Sequence, residues 1–335
     1  MATDLDRELL ETVRLQSSSP VNYLSPEDEV VVTPEGIGPL MYGRSKLGDI
    51  GDRISSGIGS LKEKFQYYFG DPTVNVELWN IIRPMPRNAL PPPMGNQLLP
   101  NVPNWSWHEY GNRVGFWRHL NALQSRDIRA TLAINGHVCS KYPRIAEAAL
   151  EAGWEFMGHG YEQQPQHSLD NEDAEIAAAV EEIKTFTGKQ PIGWESPGLT
   201  ETENTLDLLK KNGIEYVCNW PMDDLPTTLE TKYGPMLTLP YPLETNDIVI
   251  HIIQHQPANI FYQQCKETFD RLYMESDENI KIMAISMHPY LTGTPHRIGH
   301  VEKLYDYINQ HDGVIHMTGE EIYHWYNSEM KAGQT

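Results

Sequence analysis

IRATLAINGHVCSKYPRIAEAALEAGWEFMGHG, residues 128–160, spells out one complete unit of the fold. RATLAI is a short apolar run that suits a buried strand, PRIAEAALEAG carries the spacing of a helix, and WEFMGHG is a second apolar run ending on His159. Two strands joined through a helix run parallel, because a short turn cannot bring a chain back in the same direction. Upstream, VGFWRHLNALQSRD reads as a helix. Before it comes a loop holding Pro84, Pro86, Pro91, Pro92, Pro93, Pro100 and Pro103, where regular structure is not expected. The strand TVNVELW, from Thr73, precedes the loop. Downstream, the acidic helix from Asp170 to Thr187 leads to the strand QPIGWESPG, the helix TLDLLKKNG and the strand IEYVCNW. The last third reads IVIHII as strand, ANIFYQQCKETFDRLYMES as helix, IKIMAISMHP as strand, HVEKLYDYINQHDG as helix and GVIHM as strand. This alternation predicts an α/β chain built around a parallel sheet, with residues 72–330 as the catalytic barrel. Residues 1–71, polar and rich in serine and glycine, are expected to form a mostly irregular N-terminal arm.

The chain has 335 residues, 39% of them hydrophobic, enough for one full core. Its 46 acidic and 26 basic residues give a formal charge of −20, which repels nucleic acid and anionic membrane surfaces. The opening MATDLDRELLETVRLQ lacks an apolar leader, and no window offers about 18 uninterrupted apolar residues. Cys139, Cys218 and Cys265 are odd in number and lack CxxC pairing, so buried thiols in a reducing compartment are expected. A cytoplasmic protein with a small-molecule partner, and with neither nucleic acid nor membrane as partner, follows as the expectation.

In α/β barrels the working groups lie where strands end, on the carboxyl face. That rule selects Glu77 and Trp79, His159, Glu195, the pair Asp223 and Asp224, and His288. Glu77 shares strand parity with Asn75 and opposes Val74 and Val76. An aromatic flank of Trp79, Trp105 and Trp107 is expected to desolvate it and raise its pKa, as suits a base; simple exposure is the alternative. His159 is either a metal or substrate contact or the cap of a loop. A zinc site would need a second ligand four residues on, where neutral Gln163 stands. His288, held by the proline behind it, suits a general acid for a departing nitrogen. Asp223 and Asp224 either orient a histidine or serve the backbone, and His251 and His255 are weaker candidates sharing one parity. No nucleophile elbow or phosphate loop occurs.

NVELW, NWSWHEYGNRVGFWR, GHGYEQQ, GWESPGLT, the DDLP turn and MHPYLTGTPHR occur in the order found in the NodB-type polysaccharide deacetylases. The chain resembles their cytosolic branch of PuuE-type allantoinases and cyclic imide hydrolases over residues 72–330. The resemblance implies a distorted (β/α) barrel, attack by an activated water, a carbonyl held against an acid histidine, and a homo-oligomer, dimer or tetramer. It also exposes departures. Leu78 stands in place of a second aspartate, Gln163 in place of a second histidine, and Glu195 in place of an arginine. Of the usual metal positions Glu77 and His159 remain, so a cofactor is not strongly implied. A weakly held divalent ion such as zinc, its third ligand unknown, is the most that survives.

The expected enzyme is therefore a hydrolase of non-peptide carbon–nitrogen bonds in a small amide, cyclic imide or ureide. Glu77 and His159 would position or activate water, His288 would protonate the leaving nitrogen, and Glu195 would recognise an N–H or a cation. Trp79, Trp105, Arg113, Trp194, Asp223 and His255 would shape the pocket, with a structural ion pair as the alternative fate of Arg113. One alternative function is a metal-dependent de-N-acetylase with Glu162 or His167 completing the site. Another is a silent barrel that binds a small molecule.

Overall fold

The computed structural model describes residues 30–33, 36–39, 69–70, 72–96, 98–276 and 280–332. The expected arm lies outside the described residues except for three short strands. β1 (Val30–Thr33) and β2 (Gly36–Pro39) form an antiparallel hairpin, and β3 (Phe69–Gly70) pairs in parallel with β12 (His316–Met317).

The site is carried by an eight-stranded sheet. It contains β4 (Pro72–Val76), β5 (Thr131–Ile134), β6 (Glu155–Gly158), β7 (Gly193–Trp194), β8 (Tyr216–Val217), β9 (Thr227–Leu229), β10 (Met236–Thr238) and β11 (Ile285–Met287), in the order β11-β4-β5-β6-β7-β8-β10-β9. All neighbours are parallel except β10 and β9 at one edge. The sheet curls into a distorted barrel, and the segments leading into its two edge strands meet without a ladder. Ile282 N donates to Asp224 O at 3.1 Å, and Lys281 Nζ lies 2.9 Å from the Asp224 carboxylate.

Strand parity divides the core. Val74, Val76, Leu132, Ile134 and Phe156 pack outward against helices, whereas Ala133 and Met157 face the barrel interior with Tyr216, Cys218, Leu237 and Tyr241. Truncating a fully buried residue such as Leu132 to alanine costs roughly 2–5 kcal/mol. The helices are α1 (Val102–Tyr110), α2 (Phe116–Gln124), α3 (Val138–Lys141), α4 (Pro143–Glu151), α5 (Glu172–Thr187), α6 (Thr205–Lys211), α7 (Ala258–Glu275), α8 (Ile298–Ile308) and α9 (Gly319–Ala332). In α5 the Asn171 side chain accepts from Ala174 N, acids fill the first turn, and Gly188 closes the helix at φ 72°. All three cysteines are buried and free.

Some segments depart from expectation, among them β9 and β10, which form where no strand is expected. Pro103 lies in the first turn of α1, where an N–H is not needed, so the proline-rich loop ends earlier than its composition suggests. IVIHII forms no strand; Val249–Ile253 is a π-helical turn. Asn246 Oδ1 accepts from Ile248 N at 2.8 Å, and Asn246 O accepts from Ile250 N, which starts a helical turn before the β-branched run begins. The glycines of GNRVG have a packing cause. A Cβ at Gly115 would lie 2.0 Å from Pro289 O, and one at Gly111 would lie 2.5 Å from Tyr290 N, so this turn presses directly on the loop after β11.

At the opposite end of the barrel the N-terminus of α9 docks on buried Glu155. That carboxylate accepts from Tyr216 Oη, from Glu320 N at 2.8 Å and from Thr131 Oγ1 at 3.3 Å. Burial pushes Glu155 up from 4.5 to about 7, against these hydrogen bonds. A folded-state pKa above the unfolded one stabilises the fold fully below about 4.5, and the contribution is lost as pH rises through about 7. Glu155→Gln, which cannot ionise, is expected to flatten the fall in melting temperature between about pH 5 and pH 8. An unchanged slope would refute the assignment.

Candidate active site

Four strand ends converge on Glu77. It leaves β4 with the parity of Asn75 and is 1% exposed. Its Oε1 accepts from Arg87 Nη1 at 3.1 Å and Gln163 Nε2 at 3.0 Å, and lies 3.5 Å from His288 Nε2 and 3.9 Å from His159 Nε2. Its Oε2 accepts from Trp79 Nε1 at 2.5 Å and Tyr290 Oη at 3.3 Å. Burial alone would push its pKa up. The charges of Arg87, His288 and His159 outweigh burial and hold the carboxyl well below 4.5. Glu77 is thus an ionised acceptor, and the expectation of a raised pKa is corrected: the aromatic flank does not desolvate it passively, since Trp79 donates its N–H to it.

Each histidine is fixed through Nδ1. His159, after β6, donates from Nδ1 to Glu195 O at 2.7 Å, so the neutral ring presents an acceptor Nε2 toward Glu77. Nε2 has no hydrogen-bond partner among the described residues. Burial lowers the His159 pKa, but the charges of Glu195 and Glu77 raise it above 6.5 overall. His288, after β11, has Nδ1 at 2.7 Å from Asp247 Oδ1, and Asp247 Oδ2 accepts from His288 N at 2.7 Å and Thr292 Oγ1 at 2.8 Å. The two Nε2 atoms therefore face the same carboxylate oxygen.

Arg87, His159, Gln163, Glu195, Asn246 and His288 supply the polar lining of a cleft of about 310 Å³, with Pro86, Leu199, Leu243, Ile248 and Ile253 among its apolar walls. Glu195 is 4% exposed, and its Oε2 has no hydrogen-bond partner among the described residues. Burial raises its pKa more than the nearby His159 and His288 lower it.

Several residues singled out from sequence lie elsewhere. Arg113 is exposed on the turn after α1, where its charge acts on Glu109. Trp194 faces the helices and packs in the core, its Nε1 bonded to Ser196 Oγ. Asp223 is exposed and accepts from Leu225 N; Asp224 pairs with Lys281. His255 is exposed at φ 54°, because its segment is a helical turn and not the strand that would have aimed it inward. His251 is buried but engaged with Gln256 O at 3.0 Å. Trp105 donates to Trp79 O at 2.9 Å and packs with Trp79 outside the cleft lining. Sequence reasoning missed Arg87, Asp247 and Tyr290. It also missed Asn135, whose amide donates to Gln163 Oε1 at 3.1 Å and so orients Gln163 Nε2 toward Glu77.

The donor set does not fit a divalent cation. The Glu77 oxygen that would ligate one already accepts from a guanidinium and an amide, and Gln163 presents its N–H and not its oxygen. Neither proposed third ligand reaches the site: Glu162 Oε1 lies 3.2 Å from His137 Nδ1, and His167 is exposed. Among the described residues no three His, Cys, Asp or Glu side chains converge as ligands. Nor is any described helix long and apolar enough to cross a membrane.

Residues 108–217 match the family model for polysaccharide deacetylase. A Schizosaccharomyces pombe protein assigned as a polysaccharide deacetylase is 30% identical over 239 residues, 65% of this chain and 74% of that protein. Among solved structures, a probable polysaccharide deacetylase from Pseudomonas aeruginosa superposes with a TM-score of 0.71 at 27% identity, covering 79% of this chain and 93% of its own. PuuE allantoinase superposes with a TM-score of 0.70 at 26% identity, covering 79% and 91%.

Proposed function

This chain belongs to the polysaccharide deacetylase family, and from that premise we propose that it hydrolyses a non-peptide carbon–nitrogen bond in a small amide, cyclic imide or ureide without a bound divalent cation. One observation carries the reading: Arg87 and Gln163 occupy the Glu77 oxygen that a metal would need, while two histidines present Nε2 to that same oxygen.

The chemistry follows from those positions. A water held by His159 Nε2, beside the Glu77 carboxylate, attacks the carbonyl carbon, and His159 takes its proton. The positive charge of Arg87, at the wall of the cleft, balances the negative charge that develops on the carbonyl oxygen. As the tetrahedral species collapses, the carbon–nitrogen bond breaks and His288, held by Asp247, gives its proton to the nitrogen. A cleft of about 310 Å³ suits a single small ring better than a polymer chain.

The deacetylase assignments of the S. pombe and P. aeruginosa relatives favour a second reading, de-N-acetylation of a small acylated sugar or amine. Metal content, measured together with hydrolysis of allantoin, succinimide and N-acetylglucosamine before and after chelation, separates the two. We expect turnover of a cyclic substrate that survives chelation. Stoichiometric zinc, with activity lost on its removal, would overturn the metal-free reading.

A further inference from the structure

We propose that Glu195 is the specificity-determining residue of the cleft and that it reads the cis-amide edge, an N–H beside a C=O, of a neutral cyclic imide or ureide. The inference rests on the hydrolytic reading above and assigns the residue that chooses among its substrates.

Glu195 is held in place from both sides. Its N donates to Gly158 O at 2.9 Å and its C=O accepts from His159 Nδ1 at 2.7 Å. The next residue is pinned by Asn219, which accepts from Ser196 N at 2.8 Å and donates to Ser196 Oγ at 3.0 Å. The backbone is therefore fixed, and the carboxyl lies at the cleft wall, more than nine-tenths buried. The nearby Tyr241 hydroxyl is engaged with Ser286 Oγ and Asn75 Nδ2, and Glu195 Oε2 has no hydrogen-bond partner among the described residues. A buried polar atom without a partner is costly, so a ligand that satisfies it gains selectivity as well as affinity.

The charges around it argue for a neutral ligand. Glu77 is matched by Arg87 and Asp247 by His288, while His159 spends Nδ1 on a carbonyl and turns Nε2 toward Glu77. Burial already works against the Glu195 charge that supports His159, and a neutral ligand that seals the cleft from water works in the same direction, so the bound state favours the uncharged carboxyl. An uncharged carboxyl offers one O–H donor and a free acceptor side by side. In an open-chain secondary amide the trans bond points N–H and C=O in opposite directions. Ring closure forces them onto one edge, and only there can one carboxyl meet both.

The test compares succinimide with N-methylsuccinimide, which lacks the N–H, and with N-acetylglucosamine, in the wild-type protein, Glu195→Gln and Glu195→Leu. We expect the wild type to prefer succinimide over its N-methyl form by about a hundredfold or more in kcat/KM, the scale set by sites built to bond a substrate N–H. Glu195→Gln, whose carboxamide still pairs a donor with an acceptor, keeps a preference. Glu195→Leu loses it, to within about threefold. A preference that persists in Glu195→Leu would be steric and would overturn the proposal. A wild type that hydrolyses both rings equally also overturns it but leaves the hydrolytic reading standing, whereas turnover of N-acetylglucosamine alone overturns both. Calorimetric binding of the two imides reads the same preference where turnover is slow, and a wild type that binds neither overturns the assignment.

Discussion

Replacing His288 with alanine is expected to lower kcat/KM for the cyclic substrate by at least about a hundredfold, the scale on which a positioned acid accelerates loss of a poor leaving group. Amide nitrogen departs only when protonated, and His288 Nε2 is the proton source in the proposed route. Its direction depends on Asp247, whose Oδ1 holds Nδ1 at 2.7 Å while Oδ2 takes the His288 N–H and the Thr292 hydroxyl. Burial would raise the Asp247 pKa, but the His288 charge and these hydrogen bonds hold it below 3.8. Its contribution to stability is therefore present above about 3.8 and lost as pH falls through the depressed folded-state value. Asp247→Asn should lose rate on the same scale as His288→Ala, because the carboxamide no longer orients the imidazole or stabilises the imidazolium that carries the donated proton. His288→Ala also leaves a buried carboxylate without its cation, so melting curves belong beside the kinetics, and His288→Gln serves as the variant that retains a donor. A folded His288→Gln or His288→Ala protein with normal turnover would remove His288 from the mechanism.

Most of the sheet and most helices were legible because their signals are local, whereas β9 and β10, three residues each, carry none. Two apolar runs around PRIAEAALEAG predict β5, α4 and β6, and the strand-end rule finds His159, Glu195 and His288, which line one cleft, and Glu77, which meets both histidines beneath it. The same rule fails for Asp223, which ends its run on the exposed surface, and for His255. There the apolar alternation of IVIHII fits a strand, but capping by the Asn246 side chain decides for a helical turn. The partners of the site were hidden for a different reason. Asp247 meets His288 across 41 residues, and Arg87 reaches Glu77 from a proline-rich loop whose path no periodicity encodes. Charge matching in the barrel is a property of the closed fold. Hence Glu77, which looked like a desolvated carboxyl from its tryptophan flank, is an ionised one.

Glu77→Gln joins the two questions of stability and rate. We expect it to lower kcat/KM by at least about a hundredfold, because the carboxylate charge beside the attacking water and His159 is gone. It should also destabilise the fold by roughly 3 kcal/mol, near the lower end for a broken buried ion pair. The Arg87 side chain keeps 18% exposure and the Tyr290 hydroxyl 3.1 Å away, which soften the loss. Adding Arg87→Met removes the stranded charge, so the double variant should recover much of the stability and none of the rate. Recovery of rate together with stability would mean that Glu77 only balances Arg87. The pH profile gives an independent reading. His159 accepts a proton only when neutral, so activity in the wild type should rise with pH through a group lying above 6.5. Glu195 and Glu77 hold that value up, against burial. Removing the Glu77 charge withdraws part of that support, and the acidic limb of the residual activity should move to lower pH. A limb that stays in place in Glu77→Gln would take the base role away from His159, since no other change in the variant compensates the lost carboxylate.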